Sequence, residues 1–163
     1  MNPTISSISY CPVKSVSFQN LKQCEIKKNI GIVNDRIFAF SRNIDSEKAQ
    51  LIEKNVSERK LNYFLTLKNS PVLNKYNFFY KNNILTLTSN NNDIISISTE
   101  DPKERLLLSN KLIELESSLL KPITFLKNVE YPFYDTSHSK NVFNSMSLIN
   151  LNSIRDFEKK INQ

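Results

Sequence analysis

Apolar and polar positions alternate with a period of two over much of the first hundred residues, which is the signature of strands. Across residues 5–13, Ile5, Ser7, Ser9 and Cys11 interleave with Ser6, Ile8, Tyr10 and Pro12, giving a β-type stretch that ends at Pro12 in a polar tip, Lys14 and Ser15. A second strand is expected over residues 21–28, where Leu21, Gln23 and Glu25 fall opposite Lys22, Cys24 and Ile26. Residues 29–36 hold the single glycine, Gly31, then Asn34 and Asp35. Gly31 and Asn34 both adopt positive φ cheaply, so a tight, shaped loop is predicted, followed by a buried strand at 37–41. Residues 42–60 are polar with weak periodicity and read as a loop with room for a short helix. Strands are expected at 63–67, 76–80, 84–88 and 94–98, with turns at Asn82 and Asn83 and again at 90–93, so the last three form a meander.

The period then changes. Asp101 can cap a helix, Pro102 suits its first turn, and Glu104 completes a capping box. Leu108, Leu112, Leu115 and Leu119 form one stripe and Pro122 stops it. Residues 123–142 are less regular. A strand at 147–151 leads to a final helix capped by Asn152, with Ile154, Phe157 and Ile161 on one side. That apolar side has no following element to pack against, so residues 123–163 read as a connector and the truncated beginning of a second domain after a first at 1–122. The expected class is mainly β (α+β) with one long helix.

Composition changes this picture little. At 163 residues with 39% hydrophobic content the chain can bury a core. No apolar run approaches the length of a membrane span, and the opening residues lack a secretion-signal layout, so a cytoplasmic protein is expected. Cys11 and Cys24 match no zinc spacing or disulfide framework and read as reduced core residues. The net charge of +6 would suit a polyanionic partner. Lys greatly outnumbers Arg and Asn is abundant, however, which is the bias of an AT-rich genome, so basicity alone is a weak argument for nucleic acid.

Candidate chemistry is sparse. His138 lies in a polar loop and reads as solvated. Asp35 beside Arg36 reads as structural, a turn cap or an ion pair. Tyr76, Phe78, Phe79 and Tyr80 could stack bases, but aromatic strands more often fill cores. The informative cluster is Tyr10 to Ser15 with Gly31 to Arg36. Each segment ends a strand with a cation, Lys14 or Arg36, and Ser15 adds a hydroxyl. If neighbouring strands bring them to one rim, an Arg fork, a Lys point charge and a hydroxyl suit a phosphate or another dense oxyanion.

The motif YCPVKS, then GIVNDRIFAF, resembles the N-terminal β-barrel domain of MOSC (molybdenum cofactor sulfurase C-terminal) proteins. Those have a YPVKS-like strand end followed by a Gly-x-x-Gly-Asp-Arg loop. KLNYFLTLKN and NNILTL resemble middle strands of the bacterial, amidoxime-reducing-component-like members, and SLINLNSIRDFE resembles the start of the MOSC domain proper. The resemblance implies a barrel that, with the rest of the MOSC domain, holds a molybdopterin-type molybdenum cofactor in an oxidoreductase or a sulfur- or metal-transfer protein, with an electron-transfer partner. By position it implies that Lys14, Ser15 and Arg36 contact the cofactor's phosphate and pterin. Cys11 before the proline and Asn34 in place of the second glycine depart from the pattern. The family's molybdenum-ligating cysteine lies beyond the end of this sequence, so no catalytic residue and no metal ligand is assigned here. The alternatives are a basic β-barrel module for nucleic acid or another polyanion, and a non-catalytic scaffold.

Overall fold

A computed structural model describes residues 4–134, 147 and 149–161. Four small antiparallel sheets and three helices make a mixed α+β fold, and no barrel closes among the described residues. The long strands expected near the amino terminus are shorter and more numerous. β1 (Ile8–Tyr10) pairs with β2 (Gln19–Leu21), and β3 (Ile26–Lys27) pairs with β4 (Gly31–Ile32). The expected strand at 21–28 is therefore two fragments, and most of its residues are exposed. Without a buried face its alternation has nothing to specify. The tight loop forms as expected, with φ of 91° at Gly31 and 68° at Asn34.

β5 (Phe38–Arg42) is the buried strand. It pairs not with a sequence neighbour but with β9 (Ile123–Lys127), from Phe38 opposite Lys127 to Arg42 opposite Ile123. β9 lies in the stretch expected to be irregular and past the division expected at residue 122, yet Ile123 and Phe125 enter the same core as Phe38 and Phe40. Five residues between turns are too few for periodicity to distinguish a strand from a loop.

The meander forms as expected. β6 (Tyr76–Lys81), β7 (Ile84–Ser89) and β8 (Asn92–Ser98) are joined by Asn82 and Asn83, then Asn90 and Asn91, all four at φ of 50–62°. Such asparagine pairs give the twist that two-residue hairpins need. β6 is an edge strand whose outer hydrogen-bonding groups are met by side chains. Ser17 Oγ accepts from the Phe78 N–H at 2.8 Å, Gln19 Oε1 accepts from the Tyr80 N–H at 3.1 Å, and the Tyr10 hydroxyl donates to the Tyr80 carbonyl at 3.3 Å.

Residues 42–60 hold a full helix, α1 (Ser46–Lys54), capped by Asp45, whose carboxylate accepts from the Lys48 N–H at 2.7 Å. Ala49 and Ile52 are its buried residues. The segment expected as a strand at 63–67 is instead a 3-10 turn, Leu61–Tyr63, with one isolated bridge from Phe64 to Ser41. α2 (Pro102–Leu115) starts at Asp101 as expected but ends before the last leucine of its stripe. Leu119 still reaches the core, carried there by a turn closed by its N–H to the Glu116 carbonyl. Glu104 does not close a box on Asp101. It accepts from the Ser98 N–H at 2.5 Å and ties α2 to the end of β8. α3 (Leu151–Ile161) starts at the last residue of the strand expected at 147–151, and Asn150 rather than Asn152 caps it, its side chain accepting from the Asn152 N–H. No residue of α3 is buried. No helix among the described residues is long and apolar enough to cross a membrane.

Candidate functional site

The backbone first explains why the two cationic motifs meet. Residues 11–14 run beside 36–38: the Arg36 N–H donates to the Cys11 carbonyl at 2.6 Å, Phe38 to Pro12 at 3.1 Å, and Lys14 back to Phe38 at 2.8 Å. On the other side of the same segment, Asn128 donates to the Ile37 carbonyl and Phe133 to the Arg36 carbonyl, at 2.9 and 2.7 Å. The arrangement is three chain segments wide, with the Arg36 peptide at its centre.

Both cationic side chains reach the third segment. The Lys14 amine donates to the Phe133 carbonyl at 3.1 Å, and the Arg36 guanidinium lies 4.4 Å from the centre of the Tyr134 ring. They thus converge on two adjacent residues. Their settings differ, since Lys14 is 3% exposed whereas the Arg36 side chain is one-quarter exposed. Lys14 also lies 5.9 Å from the centre of the Phe64 ring. Ser15 is partly buried at φ 58°, and its hydroxyl makes no hydrogen bond among the described residues. Arg36 shares that left-handed backbone at φ 52°, a sparse region for a side chain of its size, so tips at both motifs are shaped by backbone strain.

Asp35 has the structural role expected of it. One carboxylate oxygen accepts from the Cys11 N–H at 2.8 Å and the other takes Arg36 Nε and Nη2 at 3.0 and 2.6 Å. The carboxylate therefore joins the two motifs and aims the guanidinium. Beneath it, burial pushes the Tyr134 phenol up to about 12, with the Asp35 charge adding to the rise and Arg36 opposing it. The Tyr134 hydroxyl donates to the Ile30 carbonyl, at the base of the tight loop.

Cys11 is buried, its thiol donates to the Val13 carbonyl at 2.8 Å, and burial pushes its pKa up. Cys24 is only partly buried, so the expectation of a core residue fails for it. His138 lies outside the described residues. Of the four aromatics considered for base stacking, Tyr76, Phe78 and Tyr80 are core residues, and Phe79 alone is half exposed.

Sequence reasoning missed Arg59, which is 7% exposed. Its guanidinium donates to four backbone carbonyls: Ile52 at 2.9 Å, Glu53 at 3.1 Å, Tyr131 at 2.8 Å and Pro132 at 3.0 Å. It also stacks 4.1 Å from the centre of the Phe133 ring. Its partners are carbonyls contributed by segments far apart in the chain, and no side-chain motif announces such a site. A separate, open depression of about 390 Å³ is lined by Glu53, Arg105, Lys127 and neighbours, but by none of Lys14, Ser15 or Arg36. Four of its charges pair with one another, Arg105 with Glu53 and Lys127 with Glu100.

The donor set at residues 133–134, the Arg36 guanidinium and the recessed Lys14 ammonium, has the chemistry that suits a dense oxyanion. It supplies nothing a soft metal would bind. Comparisons with protein-family models, with curated proteins and with solved structures find no match for this chain.

Proposed function

We propose that this chain is the oxyanion-holding N-terminal portion of a MOSC-type protein, and that Arg36 and Ser15 receive the phosphate of a molybdopterin-type cofactor. Lys14 contributes from behind. Its amine, held on the Phe133 carbonyl out of water, adds positive potential where screening is weak. The observation that carries the reading is the meeting of Lys14 and Arg36 on residues 133–134, with the motifs in the order the resemblance requires. In this reading the body formed by residues 4–134, β9 included, corresponds to the N-terminal MOSC unit, and the remainder of the MOSC domain supplies the thiolate and meets an electron-transfer partner. When bound, such a cofactor supplies oxygen-atom exchange at its molybdenum. This chain's residues bind and orient its anionic end.

Phenyl phosphate serves as a probe of that end. Calorimetric titration is expected to show binding that Arg36→Gln weakens roughly 10-fold or more, the worth of hydrogen bonds to a charged group. Ser15→Ala is expected to weaken it less. Equal affinity in wild type and Arg36→Gln, with both folded by circular dichroism, rejects the assignment.

A further inference from the structure

Residues 131–134 present the Phe133 carbonyl to Lys14 and the Tyr134 ring to Arg36, so whatever fixes this short segment helps, together with the Asp35 carboxylate on Arg36, to set both cations. It belongs to no helix or strand. Strand pairing with β5 ends at Lys127, and beyond it the segment is tied to Ile37 and Arg36 by single backbone bonds at Asn128 and Phe133. The Tyr134 hydroxyl bond to the Ile30 carbonyl and the Tyr131 N–H bond to Asn128 Oδ1 add to these, and Arg59 grips the segment with two further bonds. Two of the four Arg59 acceptors, Ile52 and Glu53, are carbonyls of the last turn of α1, where unpaired acceptors and the negative end of the helix dipole favour a cation. The other two, Tyr131 and Pro132, immediately precede the residue that holds Lys14. The Phe133 ring is clamped between the Arg59 guanidinium and Phe64, whose ring centre lies 5.6 Å away. The fork is what the geometry needs: a planar group with five donors can meet all four carbonyls at once, and an ammonium with three donors on a single atom cannot.

We propose that Arg59 is a positioning residue of the Lys14 and Arg36 site, holding the backbone of residues 131–133 against the end of α1 so that both cations are set for an oxyanion. Arg59 does not touch the ligand. It acts through the Phe133 carbonyl and the Tyr134 ring, and this role rests on the oxyanion reading above.

The test uses the full chain as Arg59→Ala and Arg59→Lys, with two readouts at a temperature where circular dichroism shows each variant folded. The first is hydrogen exchange at the Phe133 amide, which donates to the Arg36 carbonyl. In Arg59→Ala it is expected to exchange at least 10-fold faster, after correction by the Leu85 and Leu87 amides of the meander. The second is phenyl phosphate affinity, expected to fall at least 5-fold. Added methylguanidinium is expected to restore both in Arg59→Ala, and Arg59→Lys is expected to resemble the unrescued protein. If Arg59→Ala does not fold, Arg59→Lys decides alone by the same two losses. Unchanged Phe133 protection, or an affinity loss that methylguanidinium leaves in place, overturns the role. Should wild type itself ignore phenyl phosphate while Phe133 protection drops as expected, the oxyanion reading fails and, with it, the positioning role, leaving Arg59 a structural clamp.

Discussion

Arg59 keeps a guanidinium out of water with no carboxylate in ion-pair contact among the described residues. Burial lowers its pKa to about 10 and Glu53 opposes the shift, so the side chain stays charged at neutrality. Tyr134 has the opposite linkage. Its folded pKa of about 12 exceeds its ordinary 10, so the folded state holds this proton more tightly than the unfolded chain. The resulting stability is complete below pH 10 and is lost as pH rises from 10 toward 12. Tyr134→Phe is expected to cost about 1 kcal/mol at pH 7 through the hydrogen bond to Ile30, yet to lose less stability than wild type between pH 7 and pH 11. Urea midpoints at the two pH values check both halves. That the segments of Lys14, Asp35 and Arg36 come together was legible, because their side chains stand beside strand-forming stretches in a recognisable order. Arg59 was not, because a residue that serves carbonyls leaves no trace in the identity of its partners.

At the scale of elements, legibility followed length and burial. The meander and the start of α2 repeat their pattern long enough, with punctuation at both ends, for one face to be specified, whereas β5 was legible as an unbroken apolar run. The strands of the amino-terminal hairpins are only two or three residues long, and β9, of five, pairs with β5, a partner distant in sequence. The end of α2 shows a tertiary contact overriding a stripe. Glu116 leaves the helix to accept from the Tyr76 hydroxyl and the Lys75 amine, both at 2.5 Å, and so locks α2 to the start of β6. Burial alone would raise the Glu116 pKa, but the bonds from Lys75 and Tyr76 prevail and hold it below the ordinary 4.5. Its contribution is therefore present above pH 4.5 and is lost as pH falls through the lowered folded value. Glu116→Gln is expected to melt below wild type at pH 7, and the gap is expected to narrow steadily on acidification to pH 3. A gap independent of pH would mean that the carboxylate's charge is not what joins the two elements.

For the whole molecule, stability resides in residues 4–134. The two buried clusters draw on β5, β9, α1, α2 and the meander, and no residue of α3 belongs to either. An 11-residue helix with every residue at least partly in water gains little from packing and is marginal on its own. Removing residues 147–163 is therefore expected to leave the calorimetric melting temperature within about 2 °C, less than the shift a 1 kcal/mol change produces in a domain of this size. A larger drop would show that the final helix supports the body. The sequence pattern identified α3 as an amphipathic helix and its exposed stripe, Ile154, Phe157 and Ile161, correctly, because that pattern depends on nothing outside the helix itself.

The bonds that Ser17 and Gln19 make to β6 also bear on how copies of this chain treat one another. An outer strand with vacant amides is an open invitation to a neighbour's backbone, and stacked recruits of that kind are how aggregates grow. Two polar side chains withdraw that invitation at the amides of Phe78 and Tyr80, so that of the meander's two margins it is β8 that a neighbouring backbone would find open.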